Sequence, residues 1–453
     1  MIGEKNTNDL FFAAPSAKDF HSVLSEVQEY ISGKYASLMV EHDKDDIKQQ
    51  LMFYIQKYLT DNGITVEKLS QAELTERLYG EMAEFSFLTK YIFGKGVEEI
   101  NINSWKDIEV YFSNGGKRKL DERFESPQHA INVVRRMLHV SGMVLDNASP
   151  VVLGHLSKNI RISVMKYPVV DEDVGVCASI RIVNPQNFKK KDFTEFGTAT
   201  GEMLDFLSQS LRYGVSACVA GSTGSGKTTV AGWILNTIPN NKRIFTIENG
   251  SRELALVREA DGKVLNSVIH TLTRPSENAL QNIDQDILLD YALRFNPDII
   301  CVGEMRGPEA HAAQEASRTG HTVLTTIHSN SCESTYRRMV TLCKRKYDIA
   351  DNTLLDLVTE AFPILVFTKQ LENRERKIME ITECEIKPDG ERVHRTIFRY
   401  NITENRYEGD KLVIKGFHER VNDISDSLKK RFIENGMPKA ALERITKGCD
   451  SKC

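Results

Sequence analysis

Two glycines five positions apart, Gly221 and Gly226, are followed at once by Lys227, Thr228 and Thr229. Glycine lets the backbone turn tightly and leaves its amides bare. A lysine placed just after such a turn reaches the β- and γ-phosphates of a nucleotide, and a hydroxyl beside it ligates Mg²⁺. Gly221, Ser222, Thr223, Gly224, Ser225, Gly226, Lys227, Thr228 and Thr229 are therefore expected to hold ATP, with Thr228 on the metal. A Gly/Ser surface turn would share the composition but not the flanks. Three more polar residues end apolar runs further along: Glu248 after Arg243–Ile247, Glu304 after Ile299–Gly303, and His328 after Thr322–Ile327. An acid so placed in a nucleotide enzyme sits near Mg²⁺ and the attacking water. Glu304 is expected to serve as general base and metal neighbour. Glu248 is a second catalytic candidate, and His328 is placed to hydrogen-bond near the γ-phosphate. His321, at the other end of the same run, reads equally as a core or turn histidine.

The elements that must position these residues follow from periodicity. Val215–Ala220 is small, apolar and β-branched, a buried strand, and Val230, Trp233, Ile234 and Ile238 recur at helical spacing, so a helix begins near Lys227. An anion at the start of a helix meets the positive end of its dipole. Met203–Leu211, Ile287–Phe295 and Glu309–Arg318 read as helices between the apolar runs. Strands alternating with helices build a parallel sheet, and ligands bind beyond the carboxyl ends of its strands. Gly221–Thr228, Glu248, Glu304 and His328 all fall at that edge.

Upstream the pattern changes. Residues 1–80 read as helical, with Phe20, Val23, Leu24, Val27 and Ile31 on one face and Leu51, Tyr54, Ile55 and Leu59 on another, packing on some other part of the chain. Residues 81–186 read as a smaller α+β domain. Its strands are Val97–Ile102, Ile108–Phe112, Ile160–Val164 and Ala178–Val183; a turn is expected at Asn114–Gly116 and a helix at His129–His139. Arg161 and Arg181 lie inside strands, where arginine either faces solvent or a carboxylate, or reaches phosphate as its bidentate partner. The polar stretch from Asn184 reads as a linker over 187–194, and its run Lys189–Lys191 as solvated. Residues 195–370 form the nucleotide core and 371–453 a β/helical extension.

Composition narrows the classes. The chain has 453 residues, 41% hydrophobic, with a net charge of −4, which gives no bulk footprint for nucleic acid. Eight scattered cysteines suit buried reduced thiols rather than a disulfide framework, and Cys449 and Cys453 read as part of a solvated tail. No signal-peptide pattern opens the sequence, and no apolar run nears the roughly 20 residues of a membrane span.

Four segments together resemble the type II/type IV secretion ATPase superfamily, most of all its conjugation and tight-adherence pilus branch. They are the phosphate loop, the acidic box Thr246–Leu254, the magnesium box Pro297–Ala310 and the histidine box Thr319–Ser331. Val97–Asn103, Ser179–Arg181, Leu272–Pro275 and the tail from Ile424 to Pro438 are also similar to that family, so the resemblance covers about residues 80–450. It implies an α/β, RecA-like core working as a hexameric ring at the cytoplasmic face of the membrane. It further implies an inner-membrane partner, indirect action on pilin or secreted substrate, and no direct nucleic acid. ATP would lie between the two domains, with Arg161 and Arg181 stabilising phosphate charge. The chain departs from the family pattern at Asn249, where aspartate is common, at Gly154–Arg161, which lacks an Asp-Gly turn, and at Val169–Val176, an acidic hairpin. A nucleic-acid translocase with a RecA-like core is the alternative, as is a nucleotide-binding switch without turnover.

Overall fold

The computed structural model describes residues 18–446 except 21, 25, 28–29, 31–43, 68, 84, 95, 114–115, 158, 184–187, 277–279 and 410. The expectations for Ile31, for the Asn114–Gly115 half of the turn, for Asn184–Asn187 and for Cys449 and Cys453 lie outside the described residues. The chain divides into two compact units, Met1–Ile182 and Val183–Cys453.

In the first unit, helices Lys44–Asp61 and Gln71–Ala83 and the segment carrying Phe20, Val23 and Val27 bury their apolar faces in one cluster with Ile55, Leu59, Leu74 and Leu78. The expected lead-in thus has a small core of its own. The rest is a sheet of β1 (Val97–Ser104), β2 (Asp107–Phe112), β3 (Lys117–Lys119), β4 (Val151–Ser157), β5 (Ile160–Lys166) and β6 (Val176–Ile182), in the order β3-β2-β1-β6-β5-β4 and antiparallel throughout. Strand side chains alternate between faces. Ile100, Ile102, Ile108, Val110, Ile162, Val164, Ala178 and Ile180 pack on helix Pro127–His139, whose buried stripe is Ala130, Val133, Val134, Met137 and Leu138. Ser126 caps that helix through the His129 amide at 3.1 Å. Arg161 and Arg181 stand directly opposite one another on β5 and β6, both half-buried.

The second unit is built on β7 (Ala217–Gly221), β8 (Arg243–Glu248), a small hairpin β9 (Glu259–Ala260) and β10 (Lys263–Val264), β11 (Ser267–Leu272), β12 (Ile299–Met305), β13 (Thr322–Ile327), β14 (Ile364–Gln370), β15 (Arg376–Ile386), β16 (Arg392–Glu408) and β17 (Lys411–Arg420). Apart from the hairpin, the order across the sheet is β11-β8-β12-β13-β7-β14-β15-β16-β17. From β11 to β14 neighbouring strands run parallel, and from β14 to β17 they run antiparallel. The alternation of the parallel strands divides the core into two layers. Ala217, Val219, Ile244, Ile299, Leu324 and Val366 pack with helices Gly201–Arg212 and Lys227–Asn236. Cys218, Ala220, Phe245, Ile300, Val323 and Leu365 pack with helices Gln285–Arg294, Glu309–Arg318, Cys332–Cys343 and Asp351–Ala361. A strand covered on both faces reads as a continuous apolar run, which is why these strands are plain in the sequence.

The basic run inside the expected linker is exposed, as a solvated run would be, but part of it is helical. Lys190–Glu195 is helical: the Asp192 carboxylate accepts from the Lys189 amide at 2.6 Å, and Phe193 is buried against Trp233. Lys190 pairs with Asp205 at 2.6 Å rather than standing in solvent alone.

Candidate active site

The phosphate loop joins β7 to helix Lys227–Asn236 and is cut to shape by its glycines. Gly226 caps the helix with φ +93° and Gly224 has φ +75°, both in the region that only glycine enters freely. At Gly221 the constraint is space. A Cβ there would come within 2.4 Å of the Thr368 carbonyl oxygen and 2.5 Å of the Ser225 hydroxyl. β14 lies beside β7 and supplies this wall. Thr368 Oγ1 donates to the Ala220 carbonyl at 3.1 Å and lies 2.9 Å from Ser225 Oγ, which itself donates to the Ser222 carbonyl at 2.8 Å. From the next strand, Arg376 Nε donates to the Gly224 carbonyl at 2.8 Å. Thr368 and Arg376 were not foreseen from sequence, because nothing local marks them: register across the β7, β14 and β15 neighbours brings them in.

The cationic and acidic groups converge at the carboxyl edge. Lys227, almost fully buried, donates from Nζ to the Ser222 carbonyl at 2.9 Å, and Nζ lies 3.5 Å from His328 Nδ1. His328 Nε2 is 2.8 Å from Glu304 Oε1, and Arg306 donates to Glu304 Oε2 at 2.6 Å. An ammonium can only donate, so in the Lys227 contact Nδ1 can act only as acceptor, and Nε2 is turned toward Glu304. Burial, then the charge of Lys227, holds the His328 imidazole below its ordinary pKa, although Glu304 pulls the other way. Burial pushes the Glu304 carboxyl up, but the Arg306 hydrogen bond and the charges of Arg306, His328 and Lys227 outweigh it, so it lies below the ordinary glutamate value. The His328 to Glu304 approach is close but poorly aligned. Glu304 Oε1 therefore remains a buried acceptor with no hydrogen-bond partner among the described residues. An ionised carboxylate with one oxygen fixed by arginine and the other able to accept is suited to take a proton from water.

Glu248 sits in a different environment. It is buried, and its Oε1 accepts from the amides of Glu253 and Leu254 at 2.6 and 2.9 Å, bracing the loop after β8. Its Oε2 lies 3.7 Å from His270 Nδ1. Asn249 accepts from Thr273 Oγ1 at 2.8 Å, a turn-bracing role that needs no charge. His321 precedes β13 at its amino end, away from this edge.

Ser222 and Thr223 are exposed, Ser225 is buried, Thr228 is half-buried and Thr229 exposed. Among the described residues no group of three or more His, Cys, Asp or Glu side chains has the geometry to hold a metal ion. In phosphate-loop enzymes Mg²⁺ is held by a loop hydroxyl together with substrate phosphates and a nearby acid, and half-buried Thr228 in the first turn of the helix, with Glu304 at the same edge, fits that ion. Thr228 would ligate it directly, while Glu304, with Arg306 on one oxygen and the neutral His328 imidazole beside the other, would act near it rather than on it.

A cleft of about 550 Å³ opens beside this cluster, lined by Gly221, Ser222, Thr223, His328, Ser329, Asn330, Ser334 and Arg338. Sequence reasoning did not single out Arg338; its signal would have been its place ten residues beyond His328 on the helix that β13 feeds.

The parallel sheet, the loop and the acid at the end of β12 agree with one family model, that of the type II/IV secretion system proteins, which matches residues 147–446. The chain belongs to that family. Type IV secretion system protein PtlH of Bordetella pertussis is 31% identical over 175 residues, 38% of this chain and 50% of PtlH. VirB11 of Bartonella quintana is 23% identical over 324 residues, 63% of this chain and 88% of VirB11. The chain spans about half the length of PtlH, and 42% of a Methanocaldococcus jannaschii relative that is 28% identical over 243 residues. Among solved structures, the VirB11 ATPase of the Brucella suis type IV secretion system in complex with sulphate aligns over 65% of this chain and 94% of its own, at 20% identity and a TM-score of 0.33. The pilus retraction motor PilT with bound ADP aligns over 79% and 89%, at 16% identity and a TM-score of 0.46. Among the described residues no helix is long and apolar enough to cross a membrane.

Proposed function

We infer that this secretion-family chain hydrolyses ATP at the carboxyl edge of its parallel strands and uses the energy as a motor. The observation that carries this is the convergence of Lys227, His328, Glu304 and Arg306 on the glycine loop, over distances of 2.6 to 3.5 Å. The loop amides and Lys227 bind the phosphates. Glu304 accepts the proton of the attacking water, and Arg306 keeps it ionised and aimed. His328 links the lysine that meets the phosphates to the acid that meets the water, so loss of the γ-phosphate is felt at both. Mg²⁺, held by Thr228, would offset phosphate charge. Glu248 serves chiefly to shape the loop after β8.

In this reading residues 195–370 are a RecA-like core, extended by 371–453. Ahead of it we place the divisions 1–80, 81–186 and 187–194, the last carrying most of the short helix Lys190–Glu195. Arg161 and Arg181 sit at directly opposed positions on β5 and β6. Their proposed role as charge-stabilising cations toward phosphate rests on the resemblance of these strands to the family. Family membership favours a hexameric ring at the cytoplasmic face of the membrane, coupled to an inner-membrane component of a secretion, conjugation or pilus system. Phosphate release measured beside light scattering across a dilution series tests the ring. Specific activity should rise with concentration as larger particles form; a monomer of constant activity would leave ATP hydrolysis standing and remove the ring. Stimulation by DNA would favour a nucleic-acid translocase.

A further inference from the structure

Arg337 and Arg338 are neighbours on helix Cys332–Cys343 with different fates. Arg337 is exposed and has Glu333 one turn back, at 3.5 Å. Arg338 is half-buried, and its helical neighbours three and four residues away are Thr335, Ser334, Thr341 and Leu342. None of them carries a charge. Among the described residues Arg338 makes no ion pair or side-chain hydrogen bond, although a guanidinium taken partly out of water costs free energy unless an anion meets it.

Its position follows from helical geometry. Cys332, Thr335, Tyr336, Met339, Val340 and Cys343 form the buried stripe. Ser331, Ser334 and Arg338, at spacings of three and four, share a flank of the same helix. Ser331 and Ser334 satisfy each other in a capping box, the amide of each bonded to the hydroxyl of the other at 3.0 Å. That fixes the link from His328 to the helix and leaves Arg338 as the uncommitted donor along this flank. The cleft it lines begins at Gly221–Thr223 and His328, the residues around Lys227 Nζ. In a phosphate loop the lysine marks the end of the nucleotide where the β- and γ-phosphates lie.

We propose that Arg338 is a specificity-determining residue that binds the terminal phosphate of a nucleoside triphosphate and so makes the site distinguish ATP from ADP. This rests on the proposed ATP site. Arginine suits the task because its planar fork meets phosphate oxygens in pairs. Its place beyond His328 also means that one element, β13 with its helix, carries two groups that respond to the terminal phosphate.

The test is binding, not turnover. The full chain and its Arg338→Gln and Arg338→Lys variants are titrated, with Mg²⁺, against fluorescent ADP and a non-hydrolysable fluorescent ATP analogue. For Arg338→Gln, affinity for the analogue should fall by about tenfold, the effect of losing one charge-assisted contact, while ADP affinity stays within about twofold. Arg338→Lys should fall between it and the unaltered protein. Equal losses for both nucleotides would show that Arg338 shapes the site without reading the phosphate. Unchanged affinities for both would place its ligand elsewhere, as with a carboxylate on a second copy of the chain. Either result overturns the proposal. If the unaltered chain bound neither nucleotide, the ATP-site reading itself would fall.

Discussion

His328 stands between Lys227 and Glu304, with Nδ1 at 3.5 Å from the ammonium and Nε2 at 2.8 Å from the carboxylate. One imidazole thus links the lysine proposed to meet phosphate to the acid proposed to meet water. Because burial and Lys227 hold its pKa below the ordinary histidine value, it stays neutral as pH falls through that range. The Glu304 carboxyl also lies below its ordinary value, so its charged form is present above the folded pKa and lost only as pH falls through it. The acid limb of kcat in a phosphate-release profile should therefore fall below the ordinary glutamate range, with no step near pH 6.5. A limb centred near the histidine value would assign the proton acceptor to His328 instead.

Replacing His328 by alanine should reduce turnover more than it weakens ADP binding, since the diphosphate does not need the link to Glu304. Phosphate release and an ADP titration on the same preparation separate the two. A lower melting temperature without nucleotide, with proportionate loss of both, would mark the residue as structural.

Gly221→Ala is expected to be more damaging than its size suggests. The added methyl meets backbone and hydroxyl oxygens at 2.4 and 2.5 Å, and one of these is the fixed carbonyl of Thr368. The loop must move off β14, so nucleotide binding should be lost and the melting temperature should fall by several degrees, as about 1–3 kcal/mol of overpacking implies. Retained binding would mean that β14 yields instead.

The parts of this site that were legible in the sequence are those set by local rules. Glu248, Glu304 and His328 each end a run of apolar residues, and the Gly221–Thr228 spacing describes a turn and a helix start. Strands such as Ile299–Met305 and Thr322–Ile327 are buried on both faces and so advertise themselves. β11 was missed because Ser267–Leu272 mixes three apolar with three polar residues and is only partly covered at the sheet edge. β15 to β17 lack the alternation with helices that marks the parallel strands. Thr368, Arg376 and Arg338 escaped because their roles arise from which elements lie side by side. Glu248 shows the reverse case: its strand-end position suggested catalysis, while one of its oxygens is occupied by two backbone amides.

Arg181→Ala should bind ATP nearly as well as the unaltered protein and hydrolyse it poorly, because a guanidinium that meets charge developing in the transition state acts on turnover more than on ground-state binding. The comparison is kcat from phosphate release against affinity for a non-hydrolysable analogue. Equal loss of both, or of neither, would leave Arg181 with a role in the sheet alone.

The most direct test of the ATPase assignment is phosphate release from Mg²⁺-ATP by the full chain and its Glu304→Gln variant, each paired with nucleotide binding. The substitution keeps the shape of the side chain and removes its basicity. The unaltered chain should release phosphate, and Lys227→Ala should neither bind nor release. Glu304→Gln should bind ATP and release phosphate at least about a hundredfold more slowly. Turnover by Glu304→Gln at the rate of the unaltered protein would contradict the account.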